Sequence, residues 1–264
     1  MEQFQIIQPS LLLAPYVKQY WFLKTDIASQ PQQRIIPHGS ICLIFHKGSN
    51  LYSLSKHELQ PMAFISGQST GYSDLLQTGT VDMISVTFQP HGAKAFFSMP
   101  MTEIQEATIS ISEINDPDLN ELQDRLINLH DNALCTRLIE SFLIKRLCVT
   151  KVYNQQRMSD VIQSINNGQM DIEKLANTSC LSYKQFKRIF AEYIGANPKD
   201  FLRIIRFQKA LYTLQIRPQT NLTQLAFECG YYDQPHLIKE FKSFSGFTPG
   251  EYIAVCAPYS DYFS

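Results

Sequence analysis

Leu222-Thr223-Gln224-Leu225-Ala226-Phe227-Glu228-Cys229-Gly230, continued by Tyr231-Tyr232-Asp233-Gln234-Pro235-His236-Leu237, decides how the C-terminal third of the chain is built. The first nine residues read as a short helix that stops at Gly230, because glycine accepts the left-handed backbone that follows a helix without steric cost. Asp233 then caps a new helix running from Gln234 to Phe244. Pro235 falls in its first turn, where a missing N–H costs nothing. Leu237, Phe241 and Phe244 form the inner stripe of that helix, and Gln234, His236, Lys239 and Lys242 the outward polar set.

Upstream, the same arrangement occurs once more. Asp171-Ile172-Glu173-Lys174-Leu175-Ala176 starts a short helix with Asp171 as its cap, and Asn177-Thr178-Ser179-Cys180-Leu181 makes a small polar turn. Ser182 opens the next helix with Gln185 three residues on, the spacing of a capping box. Phe186, Ile189, Phe190 and Tyr193 face a core; Lys184, Lys187 and Arg188 lie on other faces, with no acidic residue before Glu192. A short helix, a tight turn and a basic amphipathic helix make the device that lays its second helix in a major groove of DNA. Lysines on an exposed helix are common as plain solvated surface, so one unit alone decides little. The repeat decides more, with helix starts at Ser182 and Asp233 about fifty residues apart.

Between the units, Asn197-Pro198 is a cap and first-turn proline for a helix reaching about Leu214, roughly 25 Å long. Phe201, Ile205 and Leu211 seat it on both units, and Arg203, Arg206 and Lys209 form a basic stripe suited to phosphates. Such a linker holds two recognition helices near the ~34 Å that separates successive major-groove openings on one face of DNA.

These residues resemble the AraC/XylS family of bacterial transcription regulators over about the last hundred positions. The likeness runs through Leu175-Ala176, Leu181-Ser182, Phe186, Arg188 and Phe190, then Gly195-Ala196-Asn197-Pro198 with Phe201, Arg206 and Ala210. It continues through Leu225 to Tyr231, Asp233, His236-Leu237, Lys239, Phe241-Lys242 and Gly246-Phe247-Thr248-Pro249 with Tyr252. Two positions depart from the family pattern: Cys180 stands where glycine is usual, and Ile253 where an arginine is common. The resemblance implies that Lys184, Lys187 and Arg188 enter one major groove, with Arg188 placed for a bidentate guanine contact. It implies that Gln234, His236 and Lys239 face the next groove. There Asp233 and Glu240 bring the helix near neutrality, and base reading and backbone contact both stay open. Double-stranded DNA and RNA polymerase are the implied partners, and no cofactor is implied.

The N-terminal part reads differently. Tyr16 to Leu23, Ser40 to Phe45 and Met83 to Phe88 are aromatic and β-branched runs of strand length, bounded by turns such as Pro37-His38-Gly39 and Gln89-Pro90-His91-Gly92. Short strands over residues 12–110 suggest a sandwich or barrel, without giving the strand order. From Asp118 to His130 the leucines follow helical spacing, and after Asp131-Asn132 a second helix carries Leu134, Leu138, Phe142 and Leu143. The polar stretch 150–157 is the expected linker, unless the helix before it simply continues. The expected fold class is therefore α+β. A β-rich sensor or dimerisation domain over 1–150, with a helical hairpin at 118–148, precedes an all-α domain with two helix-turn-helix units over 155–255. By its likeness to domains that precede this DNA-binding module, the first part is expected to be cupin-like and to hold a small-molecule effector or a dimer contact. The apolar stripes of the hairpin are read as a dimer contact, with packing on the barrel or on each other as the alternative for any single residue.

Composition sets bounds on the alternatives. The chain of 264 residues has net charge −1, and its basic residues lean toward the second part: 10 basic against 14 acidic side chains in 1–150, 13 against 10 after it. No apolar run approaches the ~20 residues needed to span a bilayer, and the first ten residues lack a secretory pattern, so the expectation is a cytoplasmic protein without a membrane partner. The six cysteines are scattered, without C-x-x-C or metal spacing, and read as reduced thiols. His38, His46, His57 and His91 show no H-x-H and no glutamate at ligand spacing, which argues against a metal-dependent cupin enzyme. Cys42 sits in an apolar strand, unlike the reactive cysteine of a DNA-repair methyl acceptor. A protein-interaction module is the remaining rival. The expected protein is a regulator and not an enzyme.

Overall fold

The computed structural model describes residues 3–26, 32–147 and 152–255. Strands that read as unbroken apolar runs need cover on both faces, and the N-terminal residues supply it. Six strands form one antiparallel sheet in the order β1 (Gln3–Ile7), β2 (Val17–Thr25), β9 (Val81–Phe88), β4 (Cys42–His46), β7 (Ala63–Ser66) and β10 (Thr108–Ser110). Tyr20, Phe22, Leu43, Phe45, Ile84 and Val86 point to one face, while their neighbours Trp21, Leu23, Cys42, Ile44 and Met83 point to the other. The first face packs on α2 (Pro117–Ile127) and α3 (Asn132–Leu147), preceded by the single-turn α1 (Ile111–Ile114). The second is covered by a smaller antiparallel sheet in the order β3 (Gln32–Ile35), β8 (Ser73–Leu76), β5 (Tyr52–Ser53) and β6 (Glu58–Leu59).

Two expectations about this half change. The linker expected over 150–157 is helical from Val152 onward, in α4 (Val152–Asn166), and residues 148–151 lie outside the described residues. Its Gln155 is buried and donates to the His91 carbonyl at 3.0 Å, so this polar side chain marks a contact between domains rather than a solvated tether. The leucine stripe of α2 is where periodicity put it, but Leu119, Leu122 and Leu126 are buried in the core of the six-stranded sheet. On α3 the buried line is Cys135, Ile139, Phe142 and Leu143, and Leu134 stays 42% exposed. The stripes expected to pair two copies are thus taken up by packing within one chain.

The C-terminal part is all helix among the described residues: α5 (Ile172–Thr178), α6 (Tyr183–Ile194), α7 (Pro198–Ile216), α8 (Leu222–Glu228), α9 (Gln234–Ser245) and α10 (Pro249–Val255) follow α4. Each cap has its cause in the sequence. Asp171 and Asn221 each accept two backbone N–H groups, Asn197 and Asp233 one each, and Ser182 with Gln185 closes a full capping box. Two cores result. Met158, Phe186, Phe190 and Phe201 lie in the first; Phe207, Leu237, Phe241 and Phe244 lie in the second, joined by Ile36 from the N-terminal half. Helix α7 serves both, Phe201, Leu202 and Ile205 facing one and Ile204, Phe207, Ala210, Leu211 and Leu214 the other. The turns after α5 and α8 take the same route, through left-handed backbone at Cys180 (φ 52°) and Gly230 (φ 79°). The turn at Cys180 thus keeps the glycine geometry with a residue that pays for it sterically.

Two tests follow from these local costs. Cys180 is exposed, so Cys180→Gly loses no packing and relieves the left-handed strain; it is expected to stabilise the protein by about 1 kcal/mol, read as a higher urea midpoint. An unchanged or lower midpoint would count against strain at this turn. Burial also holds the His38 and His91 imidazoles down to about 4 and lowers His46. An unfolded chain protonates such rings near 6.5 while the folded one does not. Stability from these rings is complete above about pH 6.5 and declines as pH falls toward 4. A urea midpoint that is flat from about pH 7 to 5 would contradict this.

Candidate nucleic-acid interface

Helix α6 is amphipathic because Phe186, Ile189, Phe190 and Tyr193 are drawn into the first core, which turns Lys184, Lys187 and Arg188 to solvent. Among the described residues no carboxylate stands within ion-pair distance of these three cations. The Lys187 ammonium lies 5.5 Å from the Tyr183 ring centre, on the same exposed surface. Helix α9 is built alike: Leu237, Phe241 and Phe244 are buried, and Lys239 and Lys242 are exposed. Both helices end on left-handed glycines, Gly195 and Gly246, whose N–H groups donate back to Ala191 and Lys242.

The other polar residues of α9 are partly engaged inside the unit. Gln234 accepts from the Thr223 hydroxyl at 2.8 Å, tying α9 to α8. His236 accepts from the Tyr232 N–H through Nδ1, while its Nε2 stands 3.8 Å from Glu240. Glu240 itself is buried, a carboxylate among three cationic or ionisable neighbours. Arg203 donates to it through Nε at 2.5 Å, and Arg206 lies 3.6 Å from its second oxygen. The basic stripe expected along α7 is therefore not an open one. Arg203 and Arg206 clasp α7 to α9 through Glu240, and Lys209 donates to the Glu228 carbonyl at the end of α8. A spacing of three along one helix carries no information about a partner 37 residues away.

Tyr232 did not stand out in the sequence as a surface group. It is 85% exposed directly ahead of α9, while its neighbour Tyr231 is buried. Two tyrosines in a row inside a two-to-three-residue turn were the available signal, since one of such a pair must face out.

Comparisons with known proteins divide the chain in the same place as the change from strand to helix. Residues 5–110 match a family described as a domain of unknown function, DUF6597, and residues 175–254 match a family described as a helix-turn-helix domain. An uncharacterised HTH-type transcriptional regulator of Haemophilus influenzae is 26% identical over 155 residues, covering 58% of this chain and 52% of its own length. The HTH-type transcriptional regulator MtrA of Neisseria gonorrhoeae is 29% identical over 135 residues, covering 48% of this chain and 44% of its own. The chain thus spans about half the length of these curated relatives. Among solved structures, ToxT of Vibrio cholerae aligns with a TM-score of 0.47 at 9% identity, covering 89% of this chain and 98% of that one. No helix among the described residues is long and apolar enough to cross a membrane.

The Glu240 cluster is expected to act mainly on stability. Glu240→Gln leaves Arg203 and Arg206 without their shared counter-charge in a half-buried setting and is expected to cost about 2–3 kcal/mol. The exposed change Lys239→Gln should stay within about 0.5 kcal/mol of the parent in the same urea titration. Equal stability of the two variants would show that the clasp contributes nothing.

Proposed function

We propose that the chain is a sequence-specific DNA-binding transcription regulator, with no catalytic step of its own, a reading supported by the match of residues 175–254 to a helix-turn-helix domain family. The observation that carries this reading is the uncompensated cationic surface of α6, presented by a helix whose opposite face is locked in a core. Lys184 and Lys187 neutralise phosphates, and Arg188 reads a base edge in the major groove. On α9, Lys239 and Lys242 meet the backbone of the next groove, and His236 and Gln234 stand at its edge with part of their hydrogen-bonding capacity already used. Arg203 and Arg206 support this surface from behind and hold α9 in place. One chain carries two unlike recognition helices, so its site is an asymmetric one of about two helical turns rather than a palindrome. The β-rich domain supplies control through a small molecule held between its two sheets, and contact with RNA polymerase converts binding into altered transcription. Pairing of two copies, where it occurs, uses the face of α3 that Leu134 and Ile144 leave exposed. The cell compartment that fits this function is the cytoplasm.

The test is a binding titration against salt, on a site selected from random sequence. Phosphate contacts release counterions, so log K is expected to fall steeply with log salt. Arg188→Ala is expected to cost about 1–3 kcal/mol on the selected site and to relax preference at one position. Lys184→Ala should weaken selected and random DNA alike. If Arg188→Ala weakens both equally, its base-reading role is lost; if the parent shows no salt dependence, the DNA reading itself fails.

A further inference from the structure

The N-terminal domain touches both helix-turn-helix units at the same point of each, the glycine that ends the recognition helix. A side-chain carbon placed on Gly195 would lie 2.9 Å from the Met101 carbonyl oxygen, and one on Gly246 would lie 2.9 Å from the Tyr72 ring, beside the Arg34 guanidinium. What stands behind the two seats differs. Met101 is fully buried in the core of the six-stranded sheet, a rigid support. Arg34 lies on β3 and Tyr72 directly precedes β8 of the small sheet, whose inner face meets an apolar layer, Ile35, Leu51 and Leu75 against Trp21, Phe64 and Met83, and a cavity within it.

Alternation along β3 and β8 makes that small sheet two-faced. Outward, Arg34 faces Asp74 in register and pairs with both its oxygens at 2.8 Å. Its guanidinium stacks 4.1 Å from the Tyr72 ring centre and 4.6 Å from that of Phe247, and donates to the Ser245 carbonyl at 3.1 Å. Two residues on, Ile36 enters the core of the second unit, and Gly39 packs on α7 against Phe201, Ile204 and Ile205. Inward, Gln33, Ile35, Ser73 and Leu75 wall a cavity of about 130 Å³ between the sheets, with Trp21 and Phe64 on the opposite wall. That volume is close to the ~150 Å³ of an apolar protein cavity that accommodates benzene.

Resting on the reading of the chain as a ligand-controlled DNA-binding regulator, we infer that this cavity takes a compact uncharged molecule with an aromatic or apolar body and one hydrogen-bonding group. We infer further that β3 and β8 transmit its presence to the second recognition helix and not to the first. The charge of the ligand follows from the polar groups inside. His38 and Cys42, 3.9 Å apart on the cavity wall, are both neutral, the thiol pushed up to about 11 and the imidazole down to about 4 by burial. Lys18 is not among the residues that line the cavity, and burial lowers its pKa from the ordinary lysine value. At the exposed rim Lys56 and Glu58 offset each other. A buried ligand charge finds no counter-charge there, and an unpaired buried charge is costly.

Trp21 lines the cavity and is the single tryptophan of the chain, so its emission reports occupancy. The full-length protein is titrated with benzyl alcohol and with benzoate, similar in shape and different in charge, while hydrogen exchange is followed at 193–197 and 244–248. Benzyl alcohol is expected to shift Trp21 emission at concentrations about tenfold below benzoate. It is expected to change exchange at 244–248 by about threefold or more and to leave 193–197 unchanged. Arg34→Ala should keep the emission response and lose the exchange response. Should that variant fail to fold, Arg34→Lys, which keeps the charge and loses the two-pronged grip, is expected to do the same. An equal or stronger response to benzoate overturns the ligand class, and no response to either probe overturns the site. Emission changes without exchange changes at 244–248, equal changes at both seats, or an exchange response that survives in the Arg34 variant overturn the coupling. Loss of DNA binding by the unliganded parent would count against the functional reading instead, and is measured separately.

Discussion

A recognition helix must end abruptly, with its last carbonyls satisfied and room for another surface to come against its end. The left-handed backbone at Gly195 and Gly246 meets all of these conditions at once. The glycine N–H turns back onto the helix, the chain reverses toward the Pro198 and Pro249 helices, and the missing side chain leaves space that Met101 fills in one case and Tyr72 with Arg34 in the other. Were either helix one turn longer, the domain in front of it would lose its seat. The arrangement of both halves of the chain follows from this close approach at two equivalent points.

The two units share a plan and differ in what they keep inside. The first buries only apolar and aromatic groups along α6 and leaves its cations to water. The second admits a carboxylate, Glu240, to the edge of its core and must surround it with Arg203, Arg206 and His236. That network ties α9 to α7 by directional bonds as well as by packing. It also draws inward charges that would otherwise face solvent. Similar backbones thus present unequal surfaces.

Much of the helical half was legible because its signals are local. Caps at Asp171, Ser182, Asn197 and Asp233, the stop residue Gly230, and apolar periods of three and four all act within one turn of where they are read. The β-rich half showed its central strands, whose runs are apolar because both faces are covered. It hid the other strands, β1, β3, β5, β6, β7, β8 and β10, whose described runs are two to five residues long and too short to carry a clear period. On α3, Leu134 and Leu138 fit a helical stripe as well as Cys135 and Ile139 do; only the position of the sheet chose between them. Arg34 and Glu240 were illegible for a further reason. Their meaning lies in partners 211 and 37 residues away, and no sequence window holds both ends. The same limit applies to Arg203 and Arg206, whose spacing suggests an open stripe until Glu240 is placed.

Ile36 leads to a point about how the chain reaches this state. It completes the apolar core formed by Phe207, Leu211, Leu237 and Phe241, so a domain synthesised later closes on a segment made earlier. Contacts of such long sequence separation are slow to form, since a large loop must be closed before any burial repays it. Among the described residues, the first unit holds none from the N-terminal half in its apolar core and is free to collapse as soon as α7 emerges. Synthesis therefore passes through a stage with one finished unit and one that waits, its Ile36 site open to water, for the β-rich domain to present the missing residue.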